Sequence, residues 1–295
     1  MASIFSPKIW FLAARPKTLW AGICPVMIGT ALAISDGAFH LGAVLAALGG
    51  ALFIQIGTNF SNDYFDFKKG ADTVERLGPQ RMTQSGVVKP ETMKWAFIIA
   101  FGLAVLCGVY LVLRGGVPVI VIGVLSLLSG FLYTAGPKPL AYVGLGDVFA
   151  FVFFGPVAVA GTYYVQALTI EPVAVLAGVA PGLFSVAILT VNNLRDIDSD
   201  RKASKKTLAV RFGKTVAKVE YISALSVACL IPFVLILITG WYAWCILAMG
   251  TFLVAIPTIR TVLTKQGAPL NAALEQTGKL LFIYTVLFCI GWIWG

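Results

Sequence analysis

The chain has 295 residues, of which 59% are hydrophobic and only 12% charged, and its mean hydropathy is +0.90. Soluble domains contain roughly 25% charged residues, so this composition excludes an ordinary soluble protein and predicts a polytopic membrane protein. The length fits about nine spans of roughly 20 residues with short connections, and we expect one integral-membrane domain over residues 1–295.

Windows of apolar residues predict nine transmembrane helices. In chain order they cover residues 18–34, 43–66, 94–113, 117–134, 144–165, 173–195, 219–239, 241–260 and 278–294. The first follows Lys8, Arg15 and Lys17 and superficially resembles a signal peptide, but no clean cleavage site ends it, so we interpret it as a retained helix. The expected fold is an all-α bundle of nine transmembrane helices around a central cavity.

Basic residues are distributed unevenly between the predicted loops. If the nine helices alternate across the membrane from an inner amino terminus, every Lys and Arg except Arg114 falls on the inner side. Because cytoplasmic loops are enriched in these residues, the distribution supports the span count. We therefore expect a protein of the cell (inner) membrane whose amino terminus and cavity mouth face the cytoplasm, with the carboxyl terminus outside.

Cysteine and histidine offer little chemistry here. Each of the five cysteines stands alone in an apolar run, without the spacing of a metal site or redox couple, so we interpret them as buried hydrophobic residues. The single histidine, His40, lies in a predicted short loop. Histidine-based catalysis or metal binding therefore has no basis in this sequence.

A polar stretch follows the apolar part of the second predicted helix. Asn59, Asn62, Asp63 and Asp66 are spaced i, i+3, i+4 and i+7, so a helix presents all four on one face. Asp72 adds a third carboxylate shortly afterwards. Charged side chains are unfavourable in lipid unless they line a wet cavity or meet a cation, so this face predicts a functional site.

A second polar stretch ends the sixth predicted helix. Asn192, Asp196 and Asp200 share a helical face at i, i+4 and i+8, and two such faces could hold one site between them. Carboxylate and amide oxygens suit Mg²⁺, which usually bridges protein carboxylates to substrate phosphates. The two motifs therefore predict magnesium and a phosphate ester as ligands.

Many basic residues accompany the two motifs. They are Lys68, Lys69, Arg76, Arg81, Lys138, Arg195, Arg201, Lys205 and Lys206. Arg and Lys side chains suit an anionic diphosphate once magnesium has taken part of its charge. A diphosphate-binding membrane protein with a wide apolar interior indicates that the rest of the substrate is a lipid.

The patterns Asn62-Asp63-x-x-Asp66 and Asp196-x-x-x-Asp200 resemble the signature motifs of the UbiA superfamily of intramembrane aromatic prenyltransferases, and the resemblance covers nearly the whole chain. More specific are GPQRMTQSG at 78–86, YTAGPKP at 133–139, GLGD at 144–147 and KTLAVRFG at 206–213, which look like its 1,4-dihydroxy-2-naphthoate polyprenyltransferase branch, called MenA. One departure is Gly70, where many members carry a third acid; here Asp72 follows two residues later.

The resemblance implies magnesium-dependent transfer of a polyprenyl group from its diphosphate to 1,4-dihydroxy-2-naphthoate. Carbon dioxide and pyrophosphate are lost, and demethylmenaquinone is formed in menaquinone biosynthesis. The implied metal ligands are Asn59, Asn62, Asp63, Asp66, Asp72, Asn192, Asp196 and Asp200. The implied catalytic residues are Asp63, Asp66, Asp196, Asp200 and Tyr133, whose ring would steady an allylic cation. Lys68, Arg81, Lys138 and Arg195 would neutralise the departing pyrophosphate.

Other functions stay open from sequence alone. The aromatic acceptor could be 4-hydroxybenzoate or homogentisate. A cation-coupled transporter is an alternative, because acids in transmembrane helices mark ion paths, although here they gather at one membrane face and no broken helix is obvious. A scaffold that binds prenyl lipids without turnover would leave the acids without a purpose. We expect contact with membrane lipid and no nucleic-acid partner, and the oligomeric state stays open.

Overall fold

The computed structural model describes residues 6–70 and 77–295, and within these ranges the chain forms helices and no strand. The first half contains α1 (Pro7–Ala13), α2 (Pro16–Ser35), α3 (Leu41–Lys68), α4 (Pro90–Gly115), α5 (Val117–Leu132), α6 (Leu140–Val143) and α7 (Gly146–Phe153). The second half contains α8 (Pro156–Ala167), α9 (Pro172–Ala177), α10 (Val179–Arg195), α11 (Ile197–Lys202), α12 (Leu208–Thr239), a 3₁₀ helix (Ala243–Gly250), α13 (Thr251–Thr264) and α14 (Leu270–Trp294). The predicted all-α class is therefore confirmed.

Eight helical segments in the described part of the chain are long and apolar enough to cross a membrane, so this is an integral membrane protein. Five are single helices, α2, α3, α4, α12 and α14, and three are composite: α7 with α8, α9 with α10, and the 3₁₀ helix with α13. The predicted span at 117–134 corresponds to α5, an apolar helix of only 16 residues. At 1.5 Å per residue α5 is about 24 Å long, shorter than the roughly 30 Å hydrocarbon core of a bilayer.

Two predicted spans are broken helices, which the sequence did not reveal. The range 144–165 divides into α7 and α8 around Gly155, and the range 173–195 divides into α9 and α10 at Gly178. The two breaks touch, because a Cβ atom on Gly155 would lie 2.6 Å from the Gly178 carbonyl oxygen and 2.8 Å from the Gly182 Cα. Glycine is required here because no side chain fits between the two backbones.

Two helices begin earlier than predicted. α12 begins at Leu208 and not at residue 219, and α14 begins at Leu270 and not at residue 278. The added turns carry charged side chains, which a hydropathy window rejects. In α12 they are also set off by a kink at Gly213, where φ is 84° and ψ is 176°. Glu275 in the early part of α14, for example, pairs with Lys17 at 2.6 Å and with Lys279 at 2.9 Å.

The helices pack so that the two polar motifs meet. α3 packs along α4, α10 along α12, and α14 against both α2 and α10. The largest core cluster lies mainly among α2, α10, α12 and α14 and includes the fully buried rings of Phe184, Tyr221 and Tyr284. α3 and α10 terminate at the same end of the bundle, called the motif end below.

The cysteines and the histidine are placed as expected. Cys24, Cys229 and Cys245 are buried, Cys107 and Cys289 are half-buried, and all five are free thiols. His40 precedes α3 and caps it, since its Nδ1 accepts a hydrogen bond from the Ala43 amide at 3.2 Å. The cysteines therefore have structural roles inside the bundle, and His40 has one at the end opposite to the motif end.

Candidate active site

A cavity of about 660 Å³ extends between α2, α3, α4, α5, α7, α8 and α10, with walls that are mostly apolar. Its volume lies in the range of sites that bind organic ligands. Polar side chains are concentrated at the motif end of the cavity: Asn59, Asn62, Asp66, Arg81, Asn192, Asn193, Asp196, Asp200 and Lys205. The cavity therefore combines a polar mouth with an apolar interior.

The first motif reaches the cavity through Asn62 and Asp66 in the last turns of α3. Asp66 is buried, and its two oxygens accept hydrogen bonds from Arg81 at 3.1 Å and from the Tyr142 hydroxyl at 3.0 Å. Asn62 Oδ1 accepts a hydrogen bond from Thr134 Oγ1 at 2.6 Å. Both side chains are thus held in fixed orientations by residues from outside α3.

Asp63 belongs to the same motif but contacts a loop and not the cavity. Its two oxygens accept hydrogen bonds from the backbone amides of Met82 and Thr83 at 2.9 and 3.0 Å. Arg81 precedes these two residues, so Asp63 fixes the loop that carries Arg81. Of the four residues predicted to share one face, Asn59, Asn62 and Asp66 line the cavity, and Asp63 does not.

The second motif lines the cavity although its helix is interrupted. α10 ends at Arg195 and α11 begins at Ile197, with Asp196 between them. Helical hydrogen bonds nevertheless continue, from the Asp196 amide to the Asn192 carbonyl at 3.1 Å and from the Asp200 amide to the Asp196 carbonyl at 2.8 Å. Asn192, Asp196 and Asp200 therefore keep the common face that their spacing predicts.

Lys205 joins the two motifs. Its Nζ lies 3.7 Å from Asp66 Oδ2 and 3.6 Å from Asp200 Oδ1, and 5.0 Å from the centre of the Tyr142 ring. Carboxylates from α3 and α11 thus share one cation at the cavity mouth. The prediction that the two acidic motifs meet is confirmed.

The donor set at this place fits a divalent metal ion. Asp66, Asp196 and Asp200 supply carboxylates, and Asn62 and Asn192 supply amide oxygens, which together form the all-oxygen set that Mg²⁺ prefers. The Lys205 ammonium between two carboxylates already shows that the position attracts a cation.

This donor set does not form a complete metal cage. Within residues 6–70 and 77–295, no three Asp, Glu, His or Cys side chains cluster closely enough to hold a metal alone, so water and substrate oxygens would complete the coordination. The predicted ligand Asp72 lies outside the described residues.

Residues 22–286 match the sequence profile of the UbiA prenyltransferase family. The chain belongs to this family. It is 38% identical over 293 residues to the 1,4-dihydroxy-2-naphthoate octaprenyltransferase of Escherichia coli, covering 96% of this chain and 94% of the relative. It is 36% identical over 300 residues to the protein of the same name from Haemophilus influenzae, covering 98% and 96%.

A solved structure of a UbiA homolog from Archaeoglobus fulgidus bound to GPP and Mg²⁺ has a similar fold. The TM-score is 0.69, and the alignment covers 97% of this chain and 99% of the homolog. Sequence identity is 14%, so the likeness concerns the fold alone. It agrees with the helical architecture of this UbiA-family protein.

Arg195 does not face the cavity of this UbiA-family protein, although the sequence predicts that it neutralises pyrophosphate. Its guanidinium is buried and donates to both carboxylate oxygens of Asp196, to Asn192 Oδ1 at 2.7 Å and to Asn271 Oδ1 at 2.8 Å. Arg195 therefore orients the second motif and ties α10 to α14. Its predicted contact with a diphosphate stays a prediction.

Two other predicted diphosphate-binding residues also lie outside the cavity. Lys68 is exposed, and its Nζ lies 4.9 Å from the centre of the Tyr64 ring. Lys138 is exposed in a second, surface pocket, which it shares with Lys69, Lys206 and Arg211. Arg81 alone of the four predicted residues lines the main cavity.

Lys69 connects the surface pocket with the site. Its Nζ donates to the Thr134 carbonyl at 2.6 Å and lies 4.8 Å from the Tyr142 ring centre. Partial burial lowers the pKa of Lys69, and the Asp66 carboxylate acts in the opposite direction. Tyr142 thus lies between the surface pocket and the cavity mouth.

Asn59 and Tyr133 line the cavity as the sequence suggests. Asn59 donates to the Ala14 carbonyl at 2.9 Å and to Thr18 Oγ1 at 3.3 Å, so its amide group ties α3 to the start of α2. The Tyr133 hydroxyl lies against Gly146, where an added Cβ would be 3.2 Å from it. Tyr133 is therefore placed beside the first turn of α7.

Several cavity residues have no role assigned from sequence. Arg15 and Asn193 carry none, Asp147 enters only as part of a motif, and Lys205 only as a cation beside the second motif. Tyr142, which lines the surface pocket and donates to Asp66, also has no role assigned from sequence. Arg15 contributes to the cavity from a left-handed backbone conformation with φ 54°, which is uncommon outside glycine. Lys205, Asn193 and Asp147 lie close in sequence to a recognisable motif, so the sequence could have suggested them as site residues. Nothing in the sequence around Tyr142 suggests a role for it.

Proposed function

We propose that this protein transfers a polyprenyl group from polyprenyl diphosphate to 1,4-dihydroxy-2-naphthoate, with release of pyrophosphate and CO₂. The product is demethylmenaquinone, formed in its quinol state, on the route to menaquinone. The observation that carries the proposal is the meeting of Asp66 and Asp200 around one cation at the mouth of an apolar cavity. Identities of 36% and 38% over nearly the whole chain to 1,4-dihydroxy-2-naphthoate octaprenyltransferases support the choice of acceptor.

The two parts of the substrate match the two parts of the cavity. The polar mouth would bind the diphosphate through Arg81 and Lys205, and the apolar wall formed by α4, α5 and α8 would hold the polyprenyl chain. Asn62, Asp66, Asn192, Asp196 and Asp200 would hold Mg²⁺. When bound there, the metal would withdraw electron density from the diphosphate and stabilise the leaving pyrophosphate.

The reaction begins when the bond between the allylic carbon and the diphosphate oxygen breaks, and its electron pair leaves with pyrophosphate. Arg81 and Lys205 would neutralise the charge that develops on the leaving group. The apolar wall would keep water from the allylic cation, and the Tyr133 ring would steady its positive charge. A ring carbon of the acceptor then forms the new carbon–carbon bond. Because the prenyl group takes the place of the ring carboxylate, which leaves as CO₂, the overall reaction consumes no proton and no oxidant.

Some predicted site residues lie outside the cavity and would hold cavity residues in position or attract the substrate. Asp63 would position the loop that carries Arg81, and Arg195 would orient Asp196. Lys68 and Lys138, as exposed cations near the mouth, would attract the diphosphate by long-range electrostatics. These assignments revise the direct roles that the resemblance implies.

We also propose that the motif end faces the cytoplasm, that α5 is a ninth crossing, and that residues 1–295 form one domain. The excess of Lys and Arg at the motif end supports this orientation. Contacts at both ends of α5 support the crossing: the preceding Arg114 donates to the Val165 carbonyl at the opposite end, and Thr134 donates to Asn62 at the motif end. Tilted packing and a thinned bilayer can accommodate a short helix.

The test is a turnover assay with the purified full chain in detergent. The protein is incubated with Mg²⁺, with farnesyl or longer prenyl diphosphates, and with 1,4-dihydroxy-2-naphthoate, 4-hydroxybenzoate or homogentisate. We expect mass spectrometry to detect a prenylated and decarboxylated naphthoate. Chelation of the metal should stop its formation, and Asp200→Asn, which removes one of the bridged carboxylates, should lower turnover by at least about 100-fold.

Other outcomes would favour the alternatives. Prenylation of 4-hydroxybenzoate but not of the naphthoate would contradict the acceptor while leaving the site intact. Ion transport by the reconstituted protein, without consumption of prenyl diphosphate, would favour a transporter. Binding of prenyl diphosphate without turnover, unaffected by Asp66→Ala with Asp196→Ala, would favour a scaffold.

A further inference from the structure

Asp147 is an acid that the proposed mechanism does not use. It is the second residue of α7, lines the main cavity and is only 7% exposed. Asp63, Asp66, Asp196 and Asp200 all have donors or cations beside their oxygens. Asp147 differs, because its Oδ1 has no hydrogen-bond partner and no basic side chain pairs with it in the described part of the chain.

A buried carboxyl oxygen without a partner is unfavourable, since it loses its hydration without gaining a hydrogen bond. A side chain of this kind that lines a cavity is a candidate binding group for a ligand. Because a carboxylate oxygen accepts hydrogen bonds, the matching ligand group is a donor such as a hydroxyl. The position therefore selects for a ligand that brings an O–H group to α7.

The surroundings of Asp147 favour a flat aromatic ligand. Phe149 and Phe153 follow it on α7, both line the cavity, and their rings stack with centroids 5.9 Å apart at an interplanar angle of 17°. Tyr133 lies against Gly146, on the other side of Asp147. Aromatic side chains of this kind make favourable contacts with an aromatic ring held against them.

We propose that Asp147 marks the acceptor subsite, in which its carboxylate accepts a hydrogen bond from a ring hydroxyl of the aromatic acceptor. The inference rests on the proposed function and extends it to the place and orientation of the second substrate. The hydrogen bond would increase electron density in the ring as it attacks the allylic cation. Asp147 takes no part in binding the diphosphate or the metal.

The test is a cycle of substitutions in both enzyme and substrate, read as kcat/KM for the acceptor. The acceptors are 1,4-dihydroxy-2-naphthoate and its two analogues that each lack one hydroxyl, assayed with wild type and Asp147→Ala. Loss of a hydroxyl makes the ring less reactive in both proteins, and for one of the two hydroxyls we expect the fall in kcat/KM to be about 10- to 100-fold larger in wild type than in Asp147→Ala. The KM for prenyl diphosphate should be the same in both proteins.

Glu220 supplies a matched control. This acid on α12 is near enough to Asp147 for an electrostatic interaction but does not line the cavity. Glu220→Gln should keep the wild-type discrimination between the acceptors. Equal discrimination by wild type and Asp147→Ala, or loss of discrimination in Glu220→Gln as well, would overturn the proposal.

Thermal unfolding separates ligand binding from a structural role. Because Oδ1 of this buried side chain has no partner to lose, the Tm of Asp147→Ala should be equal to or above that of wild type. A clearly lower Tm would show that Asp147 supports the fold and would overturn the proposal. If wild type instead prenylates another hydroxylated aromatic acid, the proposed function fails, and the same cycle on that acid still decides the role of Asp147.

Discussion

Asp63 and Asp66 lie three residues apart on α3 but contact different parts of the site. Asp66 lines the cavity and faces Arg81, Tyr142 and Lys205, whereas Asp63 accepts two backbone amides of a loop. The two carboxylates should therefore fail in different ways when they are replaced. Asp66 is part of the proposed ligand-binding surface, and Asp63 holds the loop that carries Arg81.

Replacement of Asp63 by Ala should raise the KM for prenyl diphosphate by about tenfold or more, because two charge-assisted hydrogen bonds that hold the Arg81 loop are lost. The Mg²⁺ concentration that gives half-maximal turnover should not change. Steady-state kinetics over a magnesium titration measure both quantities. The matched variant Asp66→Ala should alter the magnesium dependence.

Limited proteolysis provides an independent readout of the same residue. Arg81 is 5% exposed in the folded protein, and trypsin should cut after it faster in Asp63→Ala than in wild type. A shift in the magnesium dependence of Asp63→Ala, with no new cut at Arg81, would restore Asp63 as a metal ligand.

At the scale of elements, the contact between the two broken helices fixes where α7 and α10 meet the cavity. Gly155 and Gly178 bring the two breaks together with backbone atoms on both sides. α7 carries Asp147, and α10 carries Asn192, so this crossing sets the distance between the inferred acceptor subsite and the second motif. A change in the crossing should therefore affect stability and catalysis together.

Gly178→Ala should lower the free energy of unfolding by about 1–3 kcal/mol, because its Cβ would lie 2.6 Å from the Pro156 Cα and backbone cannot move aside easily. The matched control is Gly102→Ala on α4, where a Cβ meets nothing within 4 Å and the helix gains about 0.5–1 kcal/mol. Thermal unfolding in detergent compares them. Equal stability of the two variants would contradict the close crossing.

At the scale of the whole molecule, the proposed orientation depends on charge and on α5. In that proposal the excess of basic residues puts the motif end in the cytoplasm. The loops before and after α5 then lie on opposite sides only if α5 crosses the membrane. With 16 residues, α5 is the shortest of the proposed crossings, so it is the most informative one to test.

Single cysteines on exposed residues can report the side of the membrane. In intact cells, a membrane-impermeant thiol reagent should label Thr169→Cys, at the opposite end, and should label Lys138→Cys and Arg201→Cys only after permeabilisation. Wild type is the control, because none of its five cysteines is exposed. Labelling of Lys138→Cys but not of Thr169→Cys in intact cells would contradict the proposed crossing, because α7 with α8 then leads back to the cytoplasm.

The sequence by itself determined the membrane class, the approximate position of eight long helical segments and the two polar faces. Hydropathy and helical spacing are properties of neighbouring residues, so the spacing of Asn192, Asp196 and Asp200 was enough to assign them to one face. Helix ends were less accessible, since charged turns such as the start of α14 continue a helix beyond the apolar window.

Only the tertiary structure decided which side chains meet. The ion pair of Asp66 with Lys205, the amide contacts of Asp63 and the separate pocket of Lys138 join residues that are distant in sequence, and no local pattern encodes such pairs. The same holds for Asp147, because whether its Oδ1 finds a hydrogen-bond partner depends on the helices that pack around it. Packing between helices, and not spacing within them, therefore separates the residues that line the cavity from those that support it.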